Sequence, residues 1–397
     1  RRSSDLSELL EAAPNGWVME YYVGKDYSLG GITLLCKFDG QRVTMASQIA
    51  GADETVSSLY SVKSEQATML SFDTYNYLVH YFGQPQGSMA DDPNGTLGGD
   101  YEFVISDATA DRIELKGKKY GNRIVMKAFS ADQTWKQYLT RIKKVEDDAF
   151  FYEYDLRMDG LYTGQMLRSN YTFIVTYYDE VGKVHQKTVP FMFTTDGMRF
   201  HEPVTIDGQT MQNFVWKNEE ISFVCTDEGA TEVKLAGVYT AGYQSYDYYP
   251  GTYQMDFYRL NDATNQMEVA SQEIQLVKDE DGKSYWLKGL EYDILVTYDK
   301  PRGGLSILPQ FLKKVQGGYV YLAMWDLMND YVLRSSAIGL ISYPTTDGIY
   351  LVDNGVWMDE ISGFIFGVYD SQDEEASFMG YTDAVAAIRL IKKTIEE

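Results

Sequence analysis

Histidine is scarce: His80, His185 and His201 are the only three in 397 residues. None stands at the spacing of a helical metal pair, and His201-Glu202-Pro203 is not a zinc-protease pattern, so structural or surface roles are expected for all three. Cysteine is scarcer still. Cys36 and Cys225 lie in apolar, strand-like settings and read as small buried hydrophobes rather than as a disulfide, leaving the compartment open. There is no Gly-x-Ser-x-Gly elbow, neither cysteine has a histidine partner in sequence, and the Gly-Gly pairs lack the following helix of a phosphate cradle. No run of about 18 apolar residues exists, so no helix is expected to span a bilayer. Positive charge is in the minority, with 35 basic against 58 acidic residues, a net charge of -23. That balance excludes a nucleic-acid backbone as partner and disfavours docking on anionic lipid. So many carboxylates make accidental pairs inevitable, and no acid–nucleophile pair of a glycosidase can be singled out. Asp91-Asp92-Pro93-Asn94-Gly95 and Asp279-Glu280-Asp281-Gly282 are oxygen-rich, but neither follows the calcium-loop pattern, so solvated turns are expected. No catalytic residue, metal site or cofactor is assigned.

What is present in excess is tyrosine, 33 against 18 Phe and 6 Trp. Aromatics favour the pleated, half-buried surface of strands. The stretch Ser284 to Leu312 holds two strands around the break Lys300-Pro301-Arg302-Gly303-Gly304, with Tyr292, Ile294, Val296 and Tyr298 on one face of the first. An echo of it, Gly30-Gly31-Ile32-Thr33-Leu34-Leu35-Cys36-Lys37-Phe38, suggests two β-domains built on related plans around glycine hairpins. Nine Asn-Gly or Asp-Gly dipeptides are spread along the chain, which favours antiparallel hairpins over alternating β and α units. The expected fold class is all-β, mainly antiparallel, with a few short helices, closing into barrels or folding into sandwiches.

Taken in order, residues 1–14 form an N-terminal helix and linker, 15–235 a mainly-β domain, and 236–397 a second β-domain. Asp73 is the expected cap of a helix from Thr74 to Phe82. Gln84 to Asp100 reads as a loop. Ser130 with Gln133 is the expected capping box of a helix through Trp135 and Leu139, and the charged stretch Arg141 to Asp148 is the expected seam beyond it. Ala384 to Ile395 suits a helix or a strand equally.

Four segments carry a family resemblance: Ala13-Pro14-Asn15-Gly16-Trp17, Leu70 to Asn76, Ile113 to Asn122 and Pro190 to Gly197. Over most of the first 235 residues the chain resembles domain-of-unknown-function family four-three-zero-two, lipoproteins of Bacteroides and relatives. The segment from about Tyr249 is similar to lipocalin-like domains of the same bacteria. The resemblance implies export and a lipidated N-terminal cysteine at the outer membrane or cell surface. That cysteine is absent from this sequence, whose opening Arg1-Arg2-Ser3-Ser4-Asp5 shows no signal peptide. It implies no chemistry, and the shared motifs read as turn and packing signatures. The densest aromatic feature is Tyr239 to Tyr258, where Tyr243, Tyr246, Tyr248 and Tyr249 sit among small polar residues as a candidate stacking surface. The opposing reading is a plug between domains. The expected function is a non-enzymatic surface lipoprotein that binds a glycan. An assembly protein contacting another envelope protein is the alternative, and a glycoside hydrolase comes last.

Overall fold

The structure is a computed structural model describing residues 3–64, 66–83, 98–130 and 132–394. Most of the expected loop Gln84 to Asp100, with Asp91 to Gly95 in it, lies outside the described residues. The chain divides into two compact units, Arg1–Val238 and Tyr239–Glu397.

The first unit holds two closed eight-stranded barrels. Strands β1 (Trp17–Val23), β2 (Gly30–Asp39), β3 (Arg42–Ser47), β4 (Val56–Ser64), β5 (Thr68–Phe72), β6 (Glu102–Ala108), β7 (Arg112–Gly117) and β8 (Arg123–Ala128) follow one another around the first, and β8 closes on β1. Strands β9 (Glu153–Met158), β10 (Leu161–Ser169), β11 (Thr172–Tyr178), β12 (Val184–Phe193), β13 (Gly197–Ile206), β14 (Gln209–Lys217), β15 (Ser222–Cys225) and β16 (Val233–Gly237) make the second, closed by β16 on β9. Up-and-down order follows from the hairpin dipeptides. At Asp159-Gly160 and Asp207-Gly208 both residues take positive φ, as a two-residue turn between twisted strands requires.

Helix α1 (Ser3–Ala12) buries Leu6 and Leu10 in the shared core, and Trp17 donates its indole N–H to the Leu10 carbonyl at 3.0 Å. The short α2 (Tyr77–His80) is capped by Asn76, whose side chain accepts from Leu78 N, rather than by Asp73. The helix between the barrels, α3 (Trp135–Asp148), starts one motif later than expected. Thr134 and Gln137 form the capping box, a second Ser/Thr-x-x-Gln pattern displaced by four residues from Ser130 and Gln133. The expected seam Arg141 to Asp148 is the helix's second half. Leu139, Ile142 and Val145 recur at helical spacing and are buried, while the charges lie on the other faces.

Every residue of β1 is buried, against the half-buried pattern of a barrel wall. Trp17, Met19 and Tyr21 point into the barrel core. On the outer face Val18 packs with Leu139 of α3, and Glu20 bonds Lys127 and Arg199. Gly30 marks a close approach between the barrels. It is not a hairpin residue but the first of β2, bridged in parallel to Tyr171. At φ +82° a Cβ there would sit 1.9 Å from the Tyr171 carbonyl oxygen.

The second unit contains β17 (Gly251–Asn261), β18 (Gln266–Lys278), β19 (Ser284–Lys288), β20 (Ile294–Asp299), β21 (Gly304–Ile307), β22 (Gln310–Val315), β23 (Gly318–Asp326), β24 (Tyr331–Leu333), β25 (Leu340–Thr345), β26 (Gly348–Asp353), β27 (Gly363–Tyr369) and β28 (Phe378–Lys392). Strands β17, β18, β19, β20, β21, β25, β26 and β28 pair in that order, and β28 returns to β17 as a third ring. Ile294 and Val296 face its core and β20 pairs with β21 across the glycine break. The stretch from Ala384 is strand. The long β28 pairs first with β27 and then with β26. Strands β27, β23 and β22 thus leave the ring as a side sheet, with β24 alongside β23. The change of partner coincides with Ala387, an exposed residue at φ +50°, where the β17 register also slips.

Two substitutions test these constraints. Gly30→Ala is expected to destabilise the first unit by ~3 kcal/mol, because both backbone conformation and space oppose it. Ala387→Gly is expected to stabilise the second unit by about 1 kcal/mol, and Ala387→Val to destabilise it, since only glycine is at ease in that region. Urea unfolding of each variant reads both.

Candidate functional site

The tyrosine segment does not form a platform as a whole. Tyr249 is buried at 2% exposure and donates its hydroxyl to the Gly303 carbonyl at 2.9 Å. Tyr243 donates to the Lys300 carbonyl at 2.9 Å and Tyr246 to the Ser284 carbonyl at 2.7 Å. The traffic runs the other way too. Tyr285 donates to Tyr246 O at 2.6 Å and Tyr298 to Gln244 O at 2.6 Å. These tyrosines fasten the loop before β17 onto the turns of the same unit. Gly303 makes that possible, since a Cβ at its φ of +66° would lie 2.4 Å from the Tyr243 ring. Of the four candidates only Tyr248 is exposed, and Lys392 lies over its ring at 4.5 Å.

Burial pushes the hydroxyl ionisation of Tyr253, Tyr285 and Tyr298 well above the ordinary 10.0. The folded state therefore keeps protons that the unfolded chain would lose. The stability from this source is complete below pH 10.0 and falls as pH rises beyond it toward the folded values. Phenolate absorbance on alkaline titration is expected to show a late fraction that appears only with unfolding; its appearance in a still-folded protein would contradict these anchors.

An open aromatic cleft lies instead on the side sheet. One face of that sheet, through Val320, Leu322, Met324, Phe364 and Phe366, packs on the core of the unit. The opposite face carries Phe311, Tyr319, Tyr321, Tyr369 and Phe378, of which Phe311 and Phe378 are exposed, Tyr319 and Tyr321 half-buried and Tyr369 buried beneath its neighbours. Phe311 stands opposite Tyr321, and Tyr369 opposite Phe378, in the ladders. Their ring centroids are 5.4 and 5.6 Å apart, and Tyr321 meets Tyr369 edge-on at 5.6 Å. Gly367, opposite Tyr321, leaves room, since a Cβ there would touch the Phe378 and Tyr369 rings at 3.0 Å. Segment 332–336 and loop 372–376 wall a cleft of about 680 Å³ over Tyr321, Tyr369 and Phe378. Arg334 joins the walls: its Nη2 donates to the Asp373 carbonyl at 2.6 Å, and its guanidinium lies 4.1 Å from the Tyr369 centroid. Ser335, Ser336, Gln372 and Glu374 add polar lining. The cleft thus combines an aromatic floor with walls that are largely polar, a composition that suits a polar ligand better than an apolar one.

Sequence reasoning missed this cleft. Tyr319-Val320-Tyr321 alternates visibly, but Tyr369 and Phe378 reach it only through the β27 and β28 pairings, which no local pattern announces.

The histidines are accounted for by neighbours. His80 stacks between Tyr75 and Tyr101, His185 bonds Asp179 at 2.8 Å, and His201 packs on Tyr22 and Tyr27. Asp281 caps its own turn, accepting from Lys283 N and Ser284 N. Among the described residues no group of three or more His, Cys, Asp or Glu side chains is placed to hold a metal.

The shared motifs are structural as well. Asp100 accepts from Lys119 N, Tyr120 N and Asn122 N, fixing the turn that ends Ile113 to Asn122. Asn122 in turn accepts from Gly24 N at 2.7 Å. The sequence model of the Domain of unknown function (DUF4302) matches residues 1–218, both barrels of the first unit up to the end of β14. The chain belongs to the DUF4302 family. A second model, also described as a domain of unknown function (DUF4987), matches residues 226–361, which include β16 and much of the second unit. No curated protein matches the chain.

Proposed function

We propose that this DUF4302 protein is a non-enzymatic, lipid-anchored protein of the bacterial envelope that binds a saccharide on the side sheet of its second unit. Export and anchoring rest on the resemblance to Bacteroides-type lipoproteins. The cleft carries the binding reading. Phe378 is exposed and Tyr321 half-buried, so this part of the floor offers a sugar ring an apolar surface, and Ser335, Ser336, Gln372 and Arg334 can serve its hydroxyls. Among the described residues the barrel interiors are filled by side chains, which does not favour a lipocalin-like ligand. Tyr21, Phe72, Phe82 and Phe103 fill the first, Tyr154, Phe173, Phe191 and Phe193 the second, and Tyr253, Met255 and Tyr285 the third.

One observation favours a second reading, an assembly role. The outer wall of the second barrel exposes Leu167 opposite Ile174 and Tyr178 opposite Val184, with Leu161, Tyr162 and Val181 at the strand ends. Such a patch suits a protein contact.

Calorimetric titration with a panel of neutral and acidic oligosaccharides separates the readings. Saturable binding by at least one is expected, weakened about tenfold, or about 1.4 kcal/mol, by Tyr321→Ala or Phe378→Ala with the thermal midpoint unchanged. Silence across the panel would favour assembly.

A further inference from the structure

We infer that the saccharide carries a carboxylate, as a uronic or sialic acid residue does, and that Arg334 reads it; this rests on the saccharide reading above. The ground is the state of Arg334. Arg168, Arg199, Arg259 and Arg389 each pair with a carboxylate, as expected in a chain with 58 acidic residues. Arg334 does not. Its Nη2 is held by the Asp373 and Glu374 carbonyls at 2.6 and 3.3 Å, and the guanidinium lies 4.6 and 4.1 Å from the Tyr321 and Tyr369 centroids. Among the described residues its Nε and Nη1 have no acceptor, and no carboxylate lies in ion-pair reach.

That is a preorganised cation. Two carbonyls and two rings fix its position, so little side-chain entropy remains to be lost on binding. The rings displace water from the guanidinium, and a charged acceptor satisfies the remaining donors better than a hydroxyl does, with bonds roughly twice as strong. Glu374 also lines the cleft, but it is exposed and keeps its hydration. A neutral sugar would use the aromatic floor and leave Arg334 without its matching charge. A ligand bearing a carboxylate beside a sugar ring uses both.

Arg334 also ties loop 372–376 to the sheet, so the test must separate recognition from loop placement. The full chain is titrated with matched pairs that differ only in the charge of the carboxylate: oligogalacturonate and its methyl ester, sialyllactose and its methyl ester. At least one acid is expected to bind tenfold or more tightly than its twin. In Arg334→Gln the acid is expected to fall to the affinity of the twin, while the twin's own affinity stays within twofold. Equal affinity within every pair overturns the inference and leaves the saccharide reading standing. Equal loss of acid and twin in Arg334→Gln makes Arg334 a loop fastener and likewise overturns it. No binding by any member overturns both readings.

Discussion

The second unit depends on one strand doing two things. Strand β28 completes the ring through β17 and β26, and it also carries β27, behind which β23 and β22 follow. A closed ladder has no edge on which a further strand can pair, so a side sheet can grow only from a strand that changes partners along its length. The change is made at Ala387, where a left-handed residue bends the strand. Without that bend the outward aromatics of β22, β23 and β27 would have no common floor with Phe378.

Tyrosine is put to opposite uses in one unit. Before β17 the hydroxyls of Tyr243, Tyr246 and Tyr249 are spent on carbonyls and their rings are half-buried or, for Tyr249, buried, which reduces two costs at once: exposed apolar area and unpartnered backbone acceptors. On the side sheet Tyr319 and Tyr321 stay half-buried, with part of each ring toward solvent. Composition does not distinguish the two, because both environments select a large side chain with one polar atom. What separates them is whether a carbonyl from a distant turn lies within reach, as Gly303 O does for Tyr249.

Much of the fold was legible for a local reason. Asp159-Gly160 and Asp207-Gly208 announce their turns because few other residues tolerate those dihedral angles. The alternation around Ile294 and Val296 announces a wall with a wet side. The errors have local causes as well. Ser130 and Thr134 each satisfy the capping pattern, and only the burial of Leu139, Ile142 and Val145 chooses between them. Gly30-Gly31 looks like a turn, yet it is open strand where a neighbouring barrel leaves no room for a side chain. The cleft was not legible, because its floor is drawn from β23, β27 and β28, and the segment bearing Arg334 folds over it from outside the main ladder.

The dual service of β28 has a temporal side. Tyr253 on β17 finds its partner only at Lys392, so the ring of the second unit stays open until nearly all of that unit has been synthesised. Hairpins such as β17–β18 can form early, but the outer edge of β17 waits, and so does the free edge of β27. Long-range closures of this kind are slow and leave strand edges available to other chains meanwhile. A nascent chain of this design has most to gain from a chaperone that shields β17 until β28 arrives.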